Sequence, residues 1–161
     1  MGKVKSMKQI GLFVHGGRED APAYAARAVK ALQNAGAEVW AEQNAASYLH
    51  VKELTQAEQL DALIALGGDG TLLRAAQEAV RTNAPLLGIN LGRVGYMAEL
   101  ELGELDLLSR LFAVDSAGNP MWHTETRSML GVEILTAARE VRASMYGLND
   151  AVITNGSIAR I

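Results

Sequence analysis

Short apolar runs alternate along the chain with stretches whose apolar residues recur every three or four positions. Residues 9–15, Gln-Ile-Gly-Leu-Phe-Val-His, end on Gly16-Gly17 and read as a buried strand. Asp20 with Pro22 signals a helix start. Ala25, Ala28, Val29 and Leu32 then share one helical face, and Gly36 stops the helix after Ala35. Ala37–Ala41 reads as a second strand, and residues 43–60 as one irregular helical stretch. Leu63–Leu66 is a third strand, followed directly by Gly67-Gly68-Asp69-Gly70. Thr71–Thr82 reads as a helix with Leu72, Leu73, Ala76 and Val80 on its apolar face. Pro85 precedes a fourth strand, Leu86–Asn90, then a glycine-rich turn from Gly92 to Gly95, and Glu104–Phe112 supplies another helix. Strands alternating with helices predict an α/β fold: an open, mostly parallel sheet flanked by helices, with right-handed crossovers.

The pattern changes at the turn-rich Ser116-Ala-Gly-Asn-Pro120. We therefore expect an α/β domain over residues 1–118 and the start of a β-rich second domain over 119–161. Within the latter, Thr124–Leu135 and Arg139–Ile153 read as long strands joined at Thr136–Ala138. The turn pair Asn155-Gly156 follows, shortly before Ile161. A hairpin and a stub fall short of a stable β domain, so the expectation is a chain cut short or one that leans on another copy.

The formal net charge of −3 argues against a nucleic-acid binder working by broad phosphate neutralisation. Small anionic ligands remain open, because a few N–H groups and arginines suffice to hold them. The absence of cysteine excludes disulfides, thiolate metal sites and cysteine nucleophiles. The basic start, Met1 to Lys8, precedes an apolar run of only Ile10–Val14, too short for a signal-peptide core or a membrane span. Gly2 with Ser6 fits a myristoylation pattern, but nothing else points to a membrane. The expected setting is the cytoplasm. His50 and His123 lack metal-ligand spacing and read as surface residues; Trp40, Trp122 and the six methionines read as packing.

Three segments carry chemistry. The first is Leu66-Gly-Gly-Asp-Gly-Thr-Leu-Leu73. Ligands of open α/β sheets sit beyond the carboxyl ends of strands, and glycines there let backbone N–H groups and a helix N-terminus approach phosphate. Asp69 conflicts with a plain phosphate cradle, since two like charges about 4 Å apart repel by several kcal/mol at a surface-like dielectric. It is either a helix cap or a carboxylate meeting a hydroxyl or a metal ion, the usual kinase arrangement. The spacing is neither a Walker A loop nor GxGxxG.

The second segment runs from Gly88 to Leu100 and opens at the same sheet edge. Asn90 offers an amide and Arg93 a cation, while Tyr96 either packs or presents a ring face; Glu99 reads as the start of the next helix. The third is Tyr146-Gly-Leu-Asn-Asp-Ala-Val-Ile153. Burying Asn149 or Asp150 unpaired would cost about 1–3 kcal/mol. Strand alternation sends the two to opposite faces unless a bulge intervenes, the alternative being an edge strand with both exposed. His15 ends the first strand, where it either faces a nucleotide or caps and packs.

In this order and wording the three segments resemble the NAD kinase family. Its pattern is a GGDGT loop, a G-I-N-x-G-x-x-G-[FY] loop, and an Asn-Glu or Asn-Asp pair opening the second domain. The resemblance runs from about Gln9 to Ile161. The GGDGT loop is shared with diacylglycerol and sphingosine kinases and loosely with phosphofructokinases; the other two segments separate NAD kinases from these. The resemblance implies phosphoryl transfer from ATP with Mg²⁺, or from polyphosphate in some relatives, to the 2′-hydroxyl of the adenosine ribose of NAD. It further implies Asp69 as general base, Gly68 and Gly70 as backbone partners of the dinucleotide, and Arg74 as a basic ligand contact. Tyr96 takes the aromatic position of the second loop. Asn149 and Asp150 match the pair at the ribose and adenine side, and Arg160 matches a further basic contact. A homo-oligomer of the full-length protein is implied too.

Three departures stand out. Asp150 replaces a common glutamate, Ala98 replaces a commonly polar residue, and the family's Thr-Gly-Ser-rich ligand loop lies beyond these residues. Little or no turnover is therefore expected from residues 1–161 alone. The competing readings are a non-catalytic nucleotide-binding fragment and a lipid or sugar kinase sharing the GGDG loop.

Overall fold

Ile10, Leu12 and Val14 alternate with Gly11 and Phe13 along the first strand, so the two faces of one strand start two separate apolar layers. The computed structural model describes residues 8–92 and 96–153. Its elements are β1 (Lys8–Val14), α1 (Ala21–Asn34), β2 (Ala37–Ala41), α2 (Gln43–Leu49), β3 (Lys52–Glu53), β4 (Ala62–Gly67), α3 (Asp69–Arg81), β5 (Leu86–Asn90), β6 (Leu100–Glu101), β7 (Leu130–Leu135) and β8 (Val141–Gly147), with 3₁₀ helices at Leu54–Gln56 and Leu102–Phe112. The chain divides into two compact units, Met1–Thr124 and Glu125–Ile161.

In the first unit six parallel strands form one sheet in the order β3-β2-β1-β4-β5-β6. The chain starts in the middle, winds outward through β2 and β3, then returns to the other side of β1 as β4. Between β1 and β4 the connections therefore leave in opposite directions, which opens a crevice at the carboxyl ends of those two strands. One face packs Ile10, Leu12, Val14, Ile64 and Leu66 against α1 and against Leu105 and Leu108 of the second 3₁₀ helix. On the other, Trp40, Leu63 and Ala65 pack against Leu72, Ala75 and Ala79 of α3 and the segment carrying Leu54, Ala57 and Leu60. The open α/β sheet expected from the hydrophobic pattern is the one observed.

Several local expectations need correcting. Residues 43–60 contain α2, β3 and a 3₁₀ turn instead of one helical stretch. β3 joins the sheet through Trp40↔Lys52 and Ala41↔Glu53, and a two-residue strand is too short to show a period in sequence. β6 escaped notice for the same reason. α3 starts at Asp69, two residues earlier than expected, with Gly68 as its N-cap. The segment after β6 is a 3₁₀ helix opened by a capping box between Glu101 and Glu104, so Glu99 does not start it.

In the second unit β7 and β8 form an antiparallel hairpin, shorter than the two long strands expected. The turn runs through Arg139 in a left-handed conformation (φ 61°), with the Glu140 N–H donating to Thr136 Oγ1. β8 ends at Gly147 because the chain folds back there: a Cβ on Gly147 would stand 2.7 Å from the Asp150 carbonyl oxygen. Among the described residues no helix is long and apolar enough to cross a membrane.

The strand-to-helix turn after β4 has no spare room. A Cβ at Gly67 would stand 2.2 Å from Thr71 Oγ1 and 2.5 Å from Thr71 Cβ, and Thr71 is itself buried. Gly67→Ala is expected to cost about 1–3 kcal/mol, read as a lower urea midpoint at unchanged slope. A wild-type midpoint would show that the turn can give.

Candidate functional site

Three loops meet at the carboxyl edge of the central strands. The first follows β1: the His15 N–H donates to the Leu66 carbonyl at 2.9 Å, and the Gly17 N–H donates to His15 Nδ1 at 3.0 Å. The second is the tight turn from Gly67 into α3. A third follows β5, where Asn90 Oδ1 accepts the Gly92 N–H at 3.1 Å and the Leu91 N–H donates to the Gly67 carbonyl at 3.3 Å. His15, Gly68, Gly70, Thr71 and Arg74 line a cavity of about 310 Å³ here. Its place at the reversal of strand order is where open α/β sheets bind ligands.

Asp69 is the first residue of α3, and its carboxylate makes no cap to its own helix. Instead Oδ2 accepts the Tyr96 N–H at 3.3 Å and Oδ1 accepts the Met97 N–H at 3.2 Å. The carboxylate thus ties the second loop to the third. An ionised carboxylate has about four acceptor positions, so about half remain free. The backbone N–H groups of Asp69 and Gly70 have no acceptor among the described residues, which leaves the positive end of a 13-residue helix unsatisfied at the cavity.

The glycines of this turn serve different ends. Gly67 is required by Thr71, as above. Gly68, in extended backbone (φ −99°, ψ −171°), and Gly70, inside the helix, would both carry a Cβ into open space. Neither is demanded by packing, and glycine within a helix costs up to about 1 kcal/mol relative to alanine. What the two glycines keep clear is the approach to the helix terminus.

Arg74, one turn into α3, is exposed and lines the cavity with its guanidinium 5.3 Å from the centre of the Phe13 ring. Two charged residues that sequence reasoning passed over lie at the same edge. Glu42 stands directly after β2 and is partly buried, with its carboxylate near the Val14 N–H. Burial pushes its carboxyl above the ordinary value, while the Val14 N–H and the Arg74 charge pull it back. Tyr48 of α2 is pushed up mainly by burial and further by Glu42. A charged residue immediately after an apolar strand, at the edge where such sheets bind ligands, was the signal available for Glu42.

Arg18 grips Asp20 with two hydrogen bonds, Nη2 to Oδ2 at 2.8 Å, so Asp20 does not cap α1 through its side chain. The pairing holds the Asp20 carboxyl below and the Arg18 guanidinium above their ordinary ranges. A Cβ on Gly92 would meet Arg18 Nη1 at 2.8 Å, so the first and third loops also touch.

Of the site residues expected from sequence, Gly68, Gly70 and Arg74 line the cavity and Asp69 joins its loops. The Tyr96 ring is fully exposed, so it does not pack. Asn149 and Asp150 belong to the second unit and lie beyond the end of β8, both exposed. They do not face opposite ways from within a strand, because the strand stops at Gly147. Arg93, Arg160 and the Asn155-Gly156 turn fall outside the described residues. Among the described residues no group of three or more histidines and carboxylates is placed to hold a metal ion.

The family model of the ATP-NAD kinase N-terminal domain matches residues 10–113. An NAD kinase of Carboxydothermus hydrogenoformans is 41% identical over 104 residues, 65% of this chain and 35% of that protein. One from Syntrophotalea carbinolica is 32% identical over 166 residues, 96% of this chain and 54% of its own length. The chain spans about a third to a half of the length of the curated relatives it matches. In fold it is similar to yeast NADH kinase solved in complex with NADH, at a TM-score of 0.58 and 15% identity, over 89% of this chain and 47% of that one.

Removing the Asp69 carboxylate should release the third loop. In Asp69→Ala the Met97 amide is expected to exchange with solvent at least about tenfold faster, as loss of about 1.5 kcal/mol of hydrogen bonding implies. Unchanged exchange measured by NMR would mean that the loop holds its shape without Asp69.

Proposed function

The chain belongs to the NAD kinase family, and from that premise we propose that it forms the N-terminal part of an enzyme that phosphorylates the adenosine 2′-hydroxyl of NAD to give NADP. The observation supporting this reading is the Asp69 carboxylate, turned away from its own helix, held by two loop N–H groups, and set beside a cleared helix terminus. A carboxylate held in this way is fixed in direction yet keeps acceptor capacity for a hydroxyl.

In the proposed step Asp69 takes the proton of the 2′-hydroxyl as that oxygen bonds to the terminal phosphorus of ATP. The bond from that phosphorus to the ADP oxygen breaks, and NADP and ADP leave. The N–H groups of Asp69 and Gly70, with the Arg74 guanidinium, serve phosphate oxygens. Magnesium enters as Mg-ATP and neutralises phosphate charge. Such an ion usually needs only one or two protein carboxylates, and a free position on Asp69 fits that demand.

The exposed Tyr96 ring serves as a stacking face for a base. Asn149, Asp150 and Arg160 serve the ribose and adenine side, and residues 119–161 belong to a β-rich second domain. A cytoplasmic homo-oligomer is the assembly we propose for the full-length protein. General-base catalysis contributes about 10²–10⁴-fold, whereas holding two reactants in line contributes about 7–11 kcal/mol. Positioning therefore outweighs the base, and residues 1–161 alone should turn over NAD slowly or not at all.

Within the full-length protein, Asp69→Asn is expected to lower turnover by about 10²–10⁴-fold while leaving the calorimetric affinity for NAD within a few-fold of wild type. Equal loss of both would make Asp69 a binding or folding residue. Gly70→Ala supplies a complementary check. It should be as stable as wild type or up to about 1 kcal/mol more stable, yet bind NAD at least about tenfold more weakly. Unimpaired binding would show that nothing approaches the helix terminus at that point.

A further inference from the structure

Glu42 has no part in the chemistry above, yet it is partly buried at the edge where β1, β2 and α3 come together. Its backbone N–H continues the β2–β1 ladder by donating to the Leu12 carbonyl at 3.3 Å, and since Ala41 pairs with Leu12, Glu42 stands beside Phe13 across the two strands. Phe13 in turn carries the Arg74 guanidinium over its ring. Glu42 and Arg74 thus both meet β1 at Leu12 and Phe13, and Arg74 lines the cavity at its end. The Arg74 charge favours an ionised Glu42, although no direct ion pair joins them among the described residues.

We propose that Glu42 is the counter-charge of this cavity, a positioning residue that acts through Arg74 to set how tightly phosphate-bearing ligands are held. The inference rests on the functional reading above only in taking the cavity as a nucleotide-phosphate site. An ionised Glu42 draws the guanidinium toward β2 and offsets its charge, which weakens the pull on an anion. A neutral Glu42 leaves that pull unopposed. The carboxylate thereby limits product retention, since a ligand that gains a phosphate would otherwise leave slowly. Among the described residues Tyr48 from α2 also faces Glu42, and His15 lines the same cavity as Arg74. Tyr48 stays neutral across the range concerned, and His15 is common to both proteins compared below.

Calorimetric Kd values for inorganic pyrophosphate and for NAD, measured on the full chain with and without Glu42→Gln, test this. Glutamine keeps an oxygen for the Val14 N–H. At neutral pH the variant is expected to bind both probes about three- to tenfold more tightly. Its advantage should shrink as the pH falls toward the ordinary carboxylate value of 4.5, because Glu42 in the wild type then becomes neutral as well. Taking the ratio of the two proteins at each pH cancels the titration of pyrophosphate itself.

Equal affinities at neutral pH would overturn the proposal. So would an advantage that persists undiminished when Arg74→Gln is added, since coupling through Arg74 requires it to vanish. Absence of pyrophosphate binding in both proteins would overturn it too. Pyrophosphate binding with the expected ratio but no NAD binding would leave the counter-charge standing and remove the NAD reading. A measurement on the unaltered protein guards against a variant that folds poorly. By linkage, saturating pyrophosphate must raise the titration midpoint of Glu42, followed by carboxyl-carbon NMR, and an unmoved midpoint would refute the coupling.

Discussion

Two backbone N–H groups, of Tyr96 and Met97, donate to one carboxylate, and the arrangement of the cavity edge depends on that clasp. Among the described residues, the third loop otherwise meets the second through the Leu91–Gly67 backbone bond and the first through the approach of Arg18 to Gly92. Charge-assisted hydrogen bonds of this kind are worth about twice neutral ones, enough to order a short loop. The clasp also explains how an aspartate can stand at a helix terminus without capping it. Gly68 occupies the cap position, and the carboxylate is left to reach across to its neighbour.

The electrostatics of the edge are local, which is why a chain of net charge −3 is compatible with anionic ligands. The unsatisfied N–H groups at the start of α3 and the Arg74 guanidinium supply positive potential within a few residues of one another. The Arg18–Asp20 pair is self-neutralising and adds little net field. Glu42, directly after β2, is a carboxylate whose charge opposes that of Arg74.

Legibility in the sequence followed length and period. β1, β4 and β5 carry unbroken apolar runs, β2 carries Val39-Trp40-Ala41 after Glu38, and α1 and α3 carry full helical faces, so all six were visible. β3 and β6 have two residues each and exist only through pairing with a neighbour, which no local pattern records. Strand lengths in the second unit were overestimated because apolar residues continue past Gly147 while the chain itself folds back. Of the cavity, Gly68, Asp69, Gly70 and Arg74 were legible because one short segment holds them all. Glu42 was missed because its neighbours come from other elements, and Arg18 because only the fold brings it against Gly92.

The side chain of Thr71 fills the space where a Cβ at Gly67 would stand, so the first turn of α3 packs directly on the end of β4. The Asp69 carboxylate, at the first position of that helix, is thereby aimed by the turn as well as by the two amides it holds. Its direction is settled when the chain folds, so no reorientation of this group is left to be made on encounter.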